Sequence, residues 1–295
     1  MKKLLLIILC LSAIIFCAGC SGQERNNAQT TDPEPQFPEG TVYVTTADEL
    51  VEAFKNLKSG DHILLGADID MTGKSFSAIK FRPFTMDGAG HTISNYHKEG
   101  ASALLVEDVG DAKYTISNLT FKNCSVSNLG DHAALFVGRA REANSVTLIN
   151  CHAVDCSVKG MKYASIFISY TASIDSGIGE FVPMTIKDCS VDNCTVEGGG
   201  STGFAIGHSG GNDLTQNIIE NLTVKNSTVI GPDATHEGIV VGTAGSGETI
   251  ISGVTVENVT TTHNKAEGAR SYYGRHLSNM ENGLVIDGTK MEKTQ

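Results

Sequence analysis

Ile116-Ser-Asn-Leu-Thr-Phe-Lys-Asn-Cys-Ser-Val126 decides the fold, because the chain repeats it four more times. The further copies are Leu148–Val158, Ile186–Val196, Ile219–Val229 and Ile251–Thr261, at successive spacings of 32, 38, 33 and 32 residues. A unit this short cannot bury its apolar face alone, so recurrence at a near-constant period means copies stacked on copies. Within each copy, apolar and polar residues alternate between two rows of Asn, Asp or Gly. Period two denotes strand. The rows are Asn118, Asn150, Asp188, Asn221, Gly253 and Asn123, Asp155, Asn193, Asn226, Asn258. These residue types tolerate a left-handed backbone, so each row marks a corner between short strands, and stacked amides can hydrogen-bond as a ladder.

Two inward columns follow from the alternation: Leu119, Cys151, Cys189, Leu222, Val254 and Cys124, Cys156, Cys194, Ser227, Val259. A third strand follows each copy, at Leu135–Gly138, Ile166–Ser169, Phe204–Gly207 and Ile239–Gly242. Three strands, two tight corners and one variable loop per repeat make one coil of a three-faced solenoid. On the third face, alternation puts Leu105, Phe136, Phe167, Ala205 and Val240 outward. Such an apolar stripe needs cover, from the loops that follow or from a partner protein.

The Asn-corner repeat, Leu135-Phe-Val-Gly138, Ile239-Val-Val-Gly242 and Asp87-Gly-Ala-Gly-His-Thr-Ile93 resemble the right-handed parallel β-helix superfamily typified by pectate lyases. They resemble more closely the bacterial surface proteins with GLUG-type repeats. The resemblance covers roughly residues 41–295 and implies an all-β, right-handed parallel β-helix of about seven coils. It implies little about function, because this scaffold carries lyases, hydrolases, adhesins and spacers alike.

Around that domain the chain divides simply. Residues 1–19 read as a lipoprotein signal peptide: Lys2-Lys3, an apolar run from Leu4 to Ala18, and Cys17-Ala-Gly-Cys20 in the manner of a lipobox. Cys20 would carry the lipid, and each buried methylene of an acyl chain adds ~0.8 kcal/mol to anchoring. The stretch 20–40 then reads as a flexible tether on the membrane side of the domain. Thr46-Ala-Asp-Glu49 is a capping box opening a cap helix over about 46–59, with Leu50, Ala53, Phe54 and Leu57 on one face and Gly60 as its stop. Such a helix would plug the open N-terminal end of the solenoid, with repeats over about 82–261 and an irregular closure over 262–295.

Composition excludes several classes. Without Lys2 and Lys3, 20 basic residues face 33 acidic ones, with no basic run, which argues against nucleic acid. Five cysteines beyond Cys20 in the mature chain, all on inward columns, do not read as a disulfide framework, and without CxxC spacing they read as apolar filler, not as a metal or redox cluster. Asp68 and Asp70 are too few for calcium, and His91 has no identifiable catalytic partner. The outward rows Ser125, Ser157, Thr195, Thr228, Thr260 and Thr120, His152, Ser190, Thr223, Thr255 read as ordinary exposed strand positions that happen to create glycosylation sequons.

No catalytic residue, metal site or cofactor is legible. The densest aromatic and basic mixture is Ala266–His276, so Tyr272, Tyr273, Arg275 and His276 are the nominated ligand-binding residues, against the plainer reading of a long closing loop. The favoured function is a lipid-anchored surface β-helix that binds glycan or protein without catalysis. The competing one, a polysaccharide lyase or glycoside hydrolase, requires clustered acids beside a basic residue. The row Lys122, Val154, Asp192, Lys225, Glu257 offers only isolated acids of mixed company. The same reading expects Cys156→Asp to unfold the domain and Tyr273→Ala to leave melting nearly unchanged.

Overall fold

A computed structural model describes residues 40–109, 113–141, 145–172, 182–210 and 215–294. The leader, Cys20 and the tether up to residue 39 lie outside the described residues. From Thr41 onward the chain winds into a parallel β-helix whose coils stack in register. Each coil contributes a strand to a ten-stranded sheet, two seven-stranded sheets and a six-stranded sheet. In one coil these are Lys113–Ser117, Thr120–Lys122, Ser125–Asn128 and Val137–Arg141. The coil therefore has four strands, one more than the repeat suggests. The extra one precedes the first Asn row, where Tyr114 and Ile116 point into the core.

The corners form as their residue types dictate. Asn118, Asn150, Asp188 and Asn221 all have φ between 52° and 54°, and Asn123, Asp155, Asn193, Asn226 and Asn258 lie between 49° and 55°. Each amide reaches back one coil: Asn150 Nδ2 donates to Asn118 Oδ1 at 2.9 Å, and Asn193 Nδ2 to Asp155 Oδ1 at 2.7 Å. At Gly253, with φ +64°, a Cβ would come 2.5 Å from Asn221 Oδ1, and its N–H donates to Asp287 Oδ1 at 3.0 Å. The hydroxyl rows pair as expected, Ser125 with Ser157 and Ser157 with Thr195.

The cysteine columns are also in line. Cys124 N–H donates to Cys156 Sγ at 3.4 Å, Cys156 N–H to Cys194 Sγ at 3.3 Å, and Cys194 N–H to Ser227 Oγ at 3.0 Å. All five described cysteines are free and buried. A hydrogen bond shared with Cys156, together with burial, raises the thiols of Cys124 and Cys194 well above the ordinary range. They stay protonated. The cysteines work as small apolar filler, and the sulfurs of Cys156, Cys189 and Cys194 each accept one backbone N–H from the coil before.

The third face corrects the sequence reading. Leu105, Phe136, Phe167, Ala205 and Val240 are all fully buried, not outward. The reason is a bulge repeated on successive coils: Leu135 N–H and Phe136 N–H both donate to Ile166 O, and Ile166 N–H and Phe167 N–H both donate to Phe204 O. Two consecutive residues facing one partner break the period of two, so adjacent side chains both point inward. Phe136 and Phe167 then stack inside at 5.4 Å. The bend brings backbone close to backbone, and at Gly242 a Cβ would sit 2.3 Å from Thr202 N.

Both ends are closed. The cap helix spans Ala47–Asn56, three residues shorter at its C-terminus than the sequence suggests, with the Thr46–Glu49 capping box formed and Leu50, Ala53 and Phe54 buried. At the other end, Ala266–His276 is not the irregular loop expected. Gly268–Tyr272 is one turn of 3-10 helix, and Tyr273–His276 is a further rung, pairing Val241 with Tyr273 and Thr243 with Arg275. Leu284–Ile286 adds the next strand of the ten-stranded sheet, and Thr289–Lys290 turns back antiparallel on it. The coils thus run past residue 261. Glu237 locks this end. Its carboxylate is fully buried and accepts N–H groups from Gly231, Thr262, His263 and Asn264 at 3.0, 2.9, 2.5 and 2.6 Å.

Tyr273 is therefore core, 3% exposed, with the Arg270 guanidinium 4.5 Å over its ring. The expectation that Tyr273→Ala is silent is overturned. Loss of a buried aromatic costs about 3 kcal/mol, whereas Cys156→Asp buries a charge mid-column and costs more than about 4 kcal/mol. Thermal melts should show both variants destabilised, Cys156→Asp the more, and a wild-type melting temperature for either would disprove its placement.

Candidate functional site

The nominated cluster does not assemble as a site. Tyr273 and His276 are buried, Tyr272 packs against the core edge, and only Arg275 keeps a partly exposed charge on the outer surface of the third face. That surface holds a different constellation, read along columns instead of along the chain. Asp108, Arg139, Tyr170, His208, Thr243 and Arg275 lie in register, one per coil. Just before the short bridge strand, His132, Tyr163, Ser201 and His236 form a second column, set by the pairing of their neighbours Ala133, Ala164, Thr202 and Glu237.

The bulge turns these two columns toward each other. Tyr163 and His208 stack at 4.4 Å with planes 9° apart, and Tyr170 lies 5.7 Å from each of them at 17° and 13°. His132 extends the stack, 5.3 Å from Tyr170. Four rings from three coils thus form one slab. Ser201 Oγ and Thr243 Oγ1 hydrogen-bond at 2.6 Å beside it.

Charges border the slab. Asp131 takes Arg139 Nη1 at 3.3 Å, Lys162 Nζ at 3.3 Å and His132 Nε2 at 2.9 Å, while Arg139 Nε reaches Asp108 Oδ2 at 3.3 Å. Asp131, His132, Arg139, Lys162, Tyr163 and Tyr170 line a cleft of about 330 Å³. Apolar ring surface beside fixed donors and acceptors suits a ligand with apolar faces and hydroxyl edges. For hydrolysis or elimination the geometry offers less. Two carboxylates share one guanidinium, Asp108 is 2% exposed, and both are committed to holding Arg139. Among the described residues, no group of three or more His, Cys, Asp or Glu is arranged to hold a metal ion.

Sequence reading missed these residues because it searched for density along the chain. His132, Tyr163, Tyr170 and His208 are scattered over 77 positions, and only alignment of the coils brings them into two columns.

Burial holds His208 down to about pKa 4, with the charges of His132, His236 and Arg275 adding to the effect. Its folded value lies below the unfolded one of about 6.5, so the folded state binds fewer protons between them. The stability it contributes is complete above about pH 6.5 and declines as pH falls toward 4. NMR titration should place the His208 midpoint near 4, and His208→Gln should flatten that limb of the pH–melting curve. A midpoint near 6.5 would mean that His208 is not buried behind the tyrosines.

No curated protein matches the chain. Among solved structures, a candidate immunoglobulin A1 protease from Bacteroides ovatus is similar with a TM-score of 0.49 and 18% identity, over 85% of this chain and 79% of that one. Residues 41–268 match the family described as a candidate pectate lyase-like adhesive domain. With most of its length inside that match and a parallel β-helix beneath it, the chain belongs to the pectate lyase-like adhesive domain family.

Proposed function

We propose that the protein is a lipid-anchored adhesin of the bacterial surface that binds glycan, without catalysis, in the cleft beside the four-ring slab. The observation that carries this reading is the slab itself, built on the outer surface of an adhesive-domain β-helix. His132, Tyr163 and Tyr170 provide a ring wall backed by His208, and Asp131, Arg139 and Lys162 fix polar groups beside it. Carbohydrate ligands reward this pairing, since their ring faces are apolar and their hydroxyls bond well to charged partners. Preorganisation keeps the entropic cost of binding low. The lipobox at Cys20 and the polar tether that follows support attachment to the membrane. Among the described residues no helix is long and apolar enough to cross a membrane.

A glycan array probed with the protein should return a restricted set of saccharides, and Tyr170→Ala should weaken that binding more than tenfold with little change in fold. Silence across plant, host and cell-wall glycans would defeat the reading. Anchoring has a separate check. Cys20→Ala should move the protein from the membrane fraction to the soluble fraction and abolish labelling by a fatty-acid analogue; retention of label would place the lipid elsewhere.

A further inference from the structure

A second site lies at the opposite end from the closing coil, beside the cap helix. There the helix and the first coils enclose a cleft of about 910 Å³. Its floor is apolar, with Phe54 and Phe76 stacked 3.9 Å apart. Lys55, Lys80, Arg82 and Lys98 line it, with Glu107 as the single acid. In a chain of 33 acidic and 22 basic residues this is a local reversal of sign.

Pairing separates the four cations. Lys80 is neutralised by Glu107 at 2.9 Å, and Lys55 by Glu52 at 3.2 Å. Arg82 and Lys98 instead donate to carbonyl oxygens, of Leu57 at 2.8 Å and of Phe76 at 2.7 Å. Lys98 is half-buried, and burial lowers its pKa against the pull of Glu107. A cation partly withdrawn from water and given a neutral acceptor leaves room for an anion to improve its surroundings.

Phe81 lies in sequence between the lining residues Lys80 and Arg82 and does not itself line the cleft. It is 62% exposed and has φ +53°. A bulky residue in the left-handed region is an outlier, and an exposed ring held there at the expense of strain suggests use.

We propose that this cleft binds a sulfated sugar of a glycan, with Lys98 and Arg82 meeting the sulfate ester, the Phe54–Phe76 floor meeting the sugar face, and the exposed Phe81 ring, next to Lys80 and Arg82 in the chain, meeting the part of the sugar that projects from the cleft. A planar carboxylate is matched best by an uncommitted guanidinium fork, and the fork of Arg82 is partly spent on Leu57. The ammonium of Lys98 acts as a point charge, which a tetrahedral oxyanion can meet equally well from several directions. The apolar floor and the exposed ring need a ligand with apolar faces, which a phosphodiester backbone lacks. The acidic surface outside the cleft repels a long polyanion beyond one Debye length of about 8 Å, so the ligand is a short or terminal sulfated segment. This site does not depend on the ring-slab reading.

Calorimetry with the full chain tests it, using a 6-O-sulfated lactosamine tetrasaccharide, the unsulfated parent, a sialylated counterpart and a glycerol-phosphate oligomer. The sulfated sugar should bind at least tenfold more tightly than the other three. Lys98→Gln and Arg82→Gln should each lose most of that preference, with Arg82 the safer substitution because its side chain is exposed. Phe81→Asn should weaken binding while leaving melting unchanged or raised, since Asn tolerates the left-handed backbone; a purely structural Phe81 would leave affinity alone. Tyr170→Ala should leave this binding intact, which keeps the two sites distinguishable. Equal binding of the unsulfated, sialylated or phosphodiester probe, or indifference to Arg82→Gln, would overturn the proposal.

Discussion

The structure depends on one constraint: each coil must lie directly above the last, with residues a coil apart in contact. Left-handed Asn and Asp corners enforce it. A bend of this kind costs most residues roughly 1–2 kcal/mol, and the same amide that tolerates it also bonds to its copy one coil below. Asn150 to Asn118 and Asn193 to Asp155 are the direct expression. Corner and register are thus fixed by a single residue type, so a slip of one residue would lose both at once. Burial follows from register. Phe136 over Phe167, and Cys156 over Cys194, are neighbours because the corners place them so.

What was legible in the sequence was what repeats. The solenoid, its corners, the cysteine columns, the cap helix and the sheet registers all follow from period two between left-handed residues at a near-constant spacing. What escaped was whatever breaks that period in every coil alike. The bulge at Leu135–Phe136 inserts a residue without changing the repeat length, so alternation alone assigns Phe136 to solvent. The last rung escaped for a different reason. Tyr273-Gly-Arg occupies the positions of Val241-Gly-Thr, and a large aromatic on an inward column looks like loop chemistry when it is read in isolation.

The closing end shows how a fold of copies stops. A rod of identical coils has no intrinsic terminus, and an uncovered final rung exposes both core and unpaired backbone. Glu237 meets the backbone half of that problem. It places a buried carboxylate where four N–H groups converge, tying Gly231 to the stretch from Thr262 to Asn264. The charge is tolerable because its donors are fixed, and charge-assisted bonds are roughly twice as strong as neutral ones. The antiparallel turn at Thr289–Lys290 then covers the edge.

Chemical variety in such a rod gathers where repetition is interrupted. The regular faces carry one residue type per column, as in the Ser and Thr rows, and a column of equals offers no distinct pocket. The third face differs because the bulge leaves two neighbouring columns free to vary, and there the chain places rings from three coils against Asp131 and Arg139. The cap end differs because the helix is not a coil at all, which opens a cleft that no rung fills. The paired charges around Asp131 and the cationic lining of the cap cleft fall at these two irregularities. Placing charge there leaves the stacking interactions undisturbed, so side chains can change at the bulge columns or the cap while the corners continue to set the fold.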